Sequence, residues 1–146
     1  MAVDPIKQLR LRAEDSDDLA AIAALCQDMI SSRAEMHFDA PAKRFVLTGK
    51  RYCWERDQRK FGWLRPKPQP MRTASALRFE YVENVKFQGD LDSPANLLTI
   101  VRTAQASLEL IFSAELKIAL TCEVIDVTLD DLGPAWPVKN RPQHST

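Results

Sequence analysis

Glycine is scarce: four in 146 residues, at Gly49, Gly62, Gly89 and Gly133, and never clustered. Phosphate loops and dinucleotide fingerprints need several glycines within a few positions, so that backbone can approach a pyrophosphate, and both are excluded. Histidine is scarcer still, with only His37 and His144. Cysteine is limited to Cys26, Cys53 and Cys122, widely spaced and odd in number, which makes neither a disulfide framework nor a zinc knuckle. Thiols used as small buried hydrophobes are the default in a reducing compartment. Neither sign of charge is in excess, with 20 Lys and Arg against 20 Asp and Glu, so nothing pulls the whole chain toward a polyanion. No apolar run approaches the ~18 residues that a membrane span needs. The first seven residues hold no apolar stretch of the secretory kind. The expectation is a cytoplasmic protein with no membrane attachment and no cofactor or metal.

What is present is an ordinary apolar share of 45%, on a length that suits one domain able to build its own core. That domain is expected to span 1–146, with a mobile basic loop near 56–71 and a frayed tail from about 138. Its elements announce themselves by period. Leu9, Leu11 and Ala13 alternate with Arg10 and Arg12, which predicts a short strand. Ser16 or Asp15 can then cap a helix, the neighbouring carboxylates suit its positive end, and Leu19, Ile22, Leu25, Cys26 and Met29 share one face. The spacing predicts a helix over Asp17 to Met29.

After Ile30 the period changes to two. Met36 with Phe38, and Phe45 with Leu47, read as inward positions of a hairpin around the turn Asp39-Ala40-Pro41-Ala42, with Gly49 interrupting before Tyr52 and Trp54. Asp57 to Pro70 reads as a long surface loop, since Pro66, Pro68 and Pro70 cannot donate to a ladder. Leu77, Phe79, Tyr81, Val85 and Phe87 resume the alternation, with a bulge or turn near Glu83-Asn84. Leu97 to Arg102 looks buried on both faces. Leu108, Leu110 and Phe112, then Leu116 to Val124 on even positions, precede a parity slip to Ile125, Val127 and Leu129. Strands that follow one another without helical crossovers predict an α+β fold, a mainly antiparallel curved sheet of about six to eight strands with one N-terminal amphipathic helix. A barrel-like arrangement of the pleckstrin-homology type is compatible with this order.

Fragments spread over nearly the whole chain resemble a known family. They are Leu9-Arg10-Leu11-Arg12-Ala13-Glu14-Asp15, Asp18-Leu19-Ala20, Gln27-Asp28, Arg51-Tyr52-Cys53-Trp54-Glu55, Ser75-Ala76-Leu77-Arg78-Phe79, Asp131-Leu132-Gly133-Pro134-Ala135-Trp136 and Arg141-Pro142-Gln143-His144. In their order they resemble domain-of-unknown-function family 2948, found mainly in alphaproteobacteria. The resemblance implies a cytoplasmic, single-domain bacterial protein and supplies no catalytic residue. Family members carry glycines in the hairpin that here reads Ser113-Ala114-Glu115, which leaves the type of that turn open.

One stretch departs from charge balance. Between Lys50 and Arg72 eight basic residues face only Glu55 and Asp57, with Tyr52, Trp54, Phe61 and Trp63 interleaved. Arginine with aromatics on a loop suits single-stranded nucleic acid, through phosphate attraction and base stacking. The plainer reading has the cations solvating a loop while Tyr52 and Trp54 pack in the core. Trp63 as an anchor for a protein partner is a third. Glu109, Glu115, Glu123, Asp126, Asp130 and Asp131, opposed only by Lys117, form an acidic pole that could pair with the basic one between copies. Glu35, His37 and Asp39 have a spacing that could hold a metal, and Cys53 beside Arg51 could be an activated thiol, but outward polar residues and a buried thiol explain both.

No catalytic constellation is legible. The sequence points to a non-catalytic binding or interaction module, possibly self-associating as a homo-oligomer or docking on an unknown protein partner. The alternative is RNA or single-stranded DNA binding, and the second alternative an enzyme whose site is built from carboxylates and arginines that spacing does not pair. The candidate ligand-binding residues are Arg51, Arg56, Arg59, Lys60, Trp63 and Arg65.

Overall fold

Alternation becomes pairing almost wherever it occurs. The structure is a computed structural model, described for residues 8–57, 68–90 and 92–142. The elements run β1 (Arg10–Ala13), α1 (Ser16–Leu25), β2 (Ile30–Ser31), a 3-10 turn (Arg33–Glu35), β3 (Met36–Asp39), β4 (Arg44–Tyr52), α2 (Trp54–Asp57), β5 (Met71–Phe79), β6 (Asn84–Gln88), β7 (Ala95–Ala104), β8 (Ser107–Phe112), β9 (Lys117–Thr121), β10 (Val127–Asp131) and β11 (Trp136–Pro137). The described strands form one antiparallel sheet in the order β1-β10-β5-β4-β2-β7-β8-β9-β6, with β3 on β4 and β11 on β5.

That is eleven strands, against the six to eight expected. Two of them, β2 and β11, are two-residue pairings too short for any alternation to show. Nor is the sheet a closed barrel: its path starts at β1 and ends at β6, and these do not pair. It folds back on itself instead. Its two halves, β1-β10-β5-β4 and β7-β8-β9-β6, are joined by β2 and share one apolar core, and the ring of Phe45 on β4 lies 6.3 Å from that of Phe87 on β6.

Registration stacks the inward residues into rows. Leu129, Leu77, Leu47 and Met36 lie side by side across β10, β5, β4 and β3, and Ala13, Val127, Phe79, Phe45 and Phe38 make the next row. Most of these are removed from water, and each such side chain is worth about 1.5–3 kcal/mol. α1 packs its Leu19, Ile22 and Ala23 inward, against β7 and β1. Asp15 caps it, accepting from the Asp18 amide at 2.8 Å.

The helix stops at Leu25, four residues before the apolar face suggests. The chain turns at Cys26 and Asp28 adopts a left-handed φ of 64°, donating its amide to Leu97 O at 2.6 Å. Met29 is still fully buried, but from that turn. Gly49 does not interrupt β4: it lets β2 cross, since a Cβ there would stand 2.5 Å from Ile30 O. β5 begins at Met71, well before the alternation is plain, and ends at Phe79. Tyr81 therefore does not continue its inward set and is 56% exposed. β7 is not buried on both faces: a register shift between Leu97 and Thr99 turns Leu97 and Ile100 inward and leaves Leu98 exposed. The late parity slip is a crossover, because β9 and β10 lie in different halves of the sheet.

Of the loop expected from Asp57 to Pro70, residues 58–67 lie outside the described residues, and Arg59, Lys60, Trp63 and Arg65 with them. Within the described residues the chain is tied to the body at Val138 and Arg141. Val138 donates to Pro70 O at 2.9 Å, and Arg141 reaches Asp57 at 3.2 Å and the Pro68 carbonyl. Among the described residues no helix is long and apolar enough to cross a membrane.

Candidate functional site

The parity that buries Phe45 and Leu47 continues through Gly49 to Arg51, and brings an arginine into the interior. Arg51 has no exposed surface. It grips Asp131 through Nε at 3.1 Å and Nη2 at 3.0 Å, and Glu55 through Nη1 and Nη2, both at 2.8 Å. Nη1 also donates to Tyr52 O at 3.2 Å. Asp131 is saturated as well, accepting from Ser75 Oγ at 2.6 Å and from the Leu9 amide at 2.8 Å. Burial pulls the Arg51 pKa down, and the bonds to Glu55 and Asp131 outweigh it and drive it up. This cluster joins β4, α2, β5, β10 and the entry to β1. Arg51 thus spends its charge on Glu55 and Asp131, away from solvent.

The neighbouring side chains are spent in the same way. Tyr52 is buried, donates to Asp57 Oδ2 at 2.7 Å and lies edge-on to Trp54 at 4.5 Å. Trp54 Nε1 donates to Gln27 O at 2.7 Å. Arg72 donates to the carbonyls of Asp28 and Lys50. Arg56 is half-buried on α2, and its Nε has no partner among the described residues. Burial pushes the Cys26 thiol up to about 12, with Arg51 opposing, and the Cys53 thiol up to about 11, so neither is an activated nucleophile. Among the described residues no three of His, Cys, Asp and Glu gather closely enough to hold a metal ion.

Four of the six acids in the acidic pole pair with bases of the same copy. Asp131 serves Arg51, Asp126 takes Arg12 in a two-bond pair at 3.0 Å, Asp130 pairs with Arg10 at 3.3 Å and Glu109 with Lys117 at 3.0 Å. Antiparallel pairing sets Asp130 opposite Arg10 and Glu109 diagonal to Lys117, so these charges are matched within one copy.

Side chains converge instead on the open face. There the outward row runs Arg12, Thr128, Arg78, Val46 and His37 across β1, β10, β5, β4 and β3. Two turns rise beside it, that between β3 and β4 and that between β5 and β6. Together they bound a groove of about 580 Å³, whose charged lining is Arg10, Arg12, Lys43 and Arg78 against Glu80 and Asp126. Glu80 is shared by Arg44 at 2.7 Å and Arg78 at 3.1 Å, and Lys43 pairs with Glu83 at 2.9 Å. Arg10 pairs with Asp130 and Arg78 with Glu80 through Nε. Thr128 is 8% exposed, lines the groove, and its hydroxyl has no hydrogen-bond partner among the described residues.

Tyr81 stands at the rim with a φ of 61°. A bulky residue in that left-handed region is strained. The turn is held there by Glu80 N to Asp126 O at 3.0 Å, Val82 N to Lys43 O at 2.8 Å and Glu83 N to Thr121 O at 2.7 Å. Lys43, with φ of 54°, has an ordinary reason for the same conformation, since it closes the four-residue hairpin between Asp39 and Arg44.

Sequence reasoning missed this groove. The signal was present in Arg10, Arg12 and Arg78, three arginines on outward positions of strands. The strand order that makes β1, β10 and β5 neighbours was not.

A family model described as a protein of unknown function (DUF2948) matches residues 9–144. No curated protein and no solved structure matches the chain.

Proposed function

The chain belongs to the DUF2948 family, and we propose that it works as a non-catalytic binding module whose recognition surface is the open-face groove, taking an anionic ligand. One observation carries this: four cations and an exposed aromatic converge on a concavity whose lining holds only two carboxylates. Those carboxylates orient guanidinium groups without exhausting their donors, as sites for phosphate and carboxylate do. The volume is in the range of about 300–1,000 Å³ of small-molecule sites. The groups most suited to chemistry support a binding role by being spent elsewhere: Arg51, Glu55 and Asp131 on each other, and the thiols in the core.

Calorimetric titration with inorganic pyrophosphate, at low and then high salt, tests it. Binding is expected at low salt, weakened by salt and by Arg78→Gln or Arg12→Gln at least tenfold. No heat at millimolar pyrophosphate and low salt would remove the proposal.

A second reading keeps the basic segment. Arg141 reaches both Asp57 and the Pro68 carbonyl, the described residues that flank 58–67, and Arg59, Lys60, Trp63 and Arg65 lie between them in sequence, with Arg56 just before. A stretch of sequence carrying arginines and tryptophan suits RNA or single-stranded DNA. Fluorescence titration with a mixed oligonucleotide decides it: no binding at low salt, where phosphate attraction is strongest, ends this reading. Self-association is proposed only through the sheet edges at β1 and β6, which are unpaired among the described residues. Light scattering on a dilution series checks it.

A further inference from the structure

Building on the groove as an anion site, we infer that its ligand is a phosphate ester carrying a flat ring, the mononucleotide class, with the phosphate between Arg12 and Arg78 and the ring on Tyr81. Three features of the groove differ in kind and point the same way. The first is a donor set. Arg12, Thr128 and Arg78 are consecutive in one cross-strand row, so two guanidinium groups bracket a hydroxyl on neighbouring strands about 4.8 Å apart. Thr128 lines the groove, where its hydroxyl can donate to a ligand oxygen. A phosphate oxygen accepts from it beside the two guanidinium groups, which Asp126 and Glu80 hold in place.

The second feature is the ring. Tyr81 is exposed on a turn whose backbone is fixed on both sides, and fixed in a conformation that a large side chain resists. Glycine or asparagine would hold the same turn with less strain. Strain that the surroundings over-determine is what functional positions retain. What tyrosine adds at that point is a flat, rigid surface beside the cations, which suits stacking against an aromatic ring. The third feature is size. About 580 Å³ is enough for a mononucleotide.

Titrations of the full chain with AMP, inorganic phosphate, pyrophosphate, adenosine and a single-stranded decanucleotide separate the outcomes. AMP is expected to bind at least tenfold more tightly than inorganic phosphate. Tyr81→Asn, which tolerates the left-handed backbone, brings AMP down to the phosphate level without changing phosphate binding, and Tyr81→Phe restores it. Arg78→Gln weakens both ligands. If pyrophosphate binds and AMP gains nothing over phosphate, the ring assignment is overturned and the anion groove survives. A decanucleotide that binds where AMP does not overturns the small-ligand class. If no anion binds, the groove reading and this inference fall together.

Discussion

Arg51 shows how one side chain is both expensive and indispensable. Removing one partner of a buried ion pair leaves the other charge unpaired, which costs about 3–5 kcal/mol. Arg51→Met is expected to destabilise by that amount, since Asp131 loses both guanidinium bonds in a site 2% exposed. Glu55 is 24% exposed and can turn to water, so Glu55→Gln should cost less than Asp131→Asn. Urea denaturation of the three variants checks the order, and equal losses at Glu55 and Asp131 would show that burial does not set it. A smaller effect of opposite sign is expected at Ala114. Ala114 and Glu115 have φ of 60° and 61°, the pair of left-handed values that a two-residue hairpin turn requires, without glycine at either. Ala114→Gly relieves about 1–2 kcal/mol of strain and loses about 0.5–1 kcal/mol to the freer unfolded chain. A net gain of about 0.5 kcal/mol is expected, read as a raised thermal midpoint.

Individual strands were largely legible, and their meetings were not. Phe45 and Leu47 mark the inward face of β4 from sequence alone. The same parity, carried two steps past Gly49, reaches Arg51, so the buried arginine was foreseeable once glycine is read as a crossing and not a break. Leu77 and Phe79 were equally plain, whereas Tyr81 was misplaced because alternation does not announce where a strand ends. The helix was found and overrun, since Cys26 and Met29 are apolar for reasons outside the helix. The groove was invisible because its residues come from four separate stretches whose adjacency is set by strand order. Gly49 makes this testable for an element. Its missing Cβ admits β2, which among the described strands links the two halves of the sheet path. Gly49→Ala forces Ile30 aside and should cost roughly 2–3 kcal/mol, in the overpacking range. Unchanged stability would mean that β2 yields freely, and hydrogen exchange at Ile30 and Ser31 would report it.

At the scale of the molecule, burial sets a pH limit. Desolvation raises Cys26 from the ordinary 9.0 to about 12 and Cys53 to about 11, and burial followed by the bond to Asp57 raises Tyr52 as well. The folded protein therefore keeps protons that the unfolded chain gives up. Stability from these groups is fully present below about pH 9 and is lost as pH climbs from there toward about 12. Urea midpoints should be level from pH 7 to 8.5 and fall steadily to pH 11, less steeply in Cys26→Ala. A level profile to pH 11 would contradict it. The position of β10 has another consequence. It sits between β1 and β5, so among the described residues β1 has no strand partner until residues 127 to 131 have been made. At about 5–20 residues per second, the leading strand waits on the order of ten seconds on the ribosome. A nascent chain arrested before Val127 should thus be digested readily by protease at its leading end, while one extended past Asp131 by enough to clear the exit tunnel should resist.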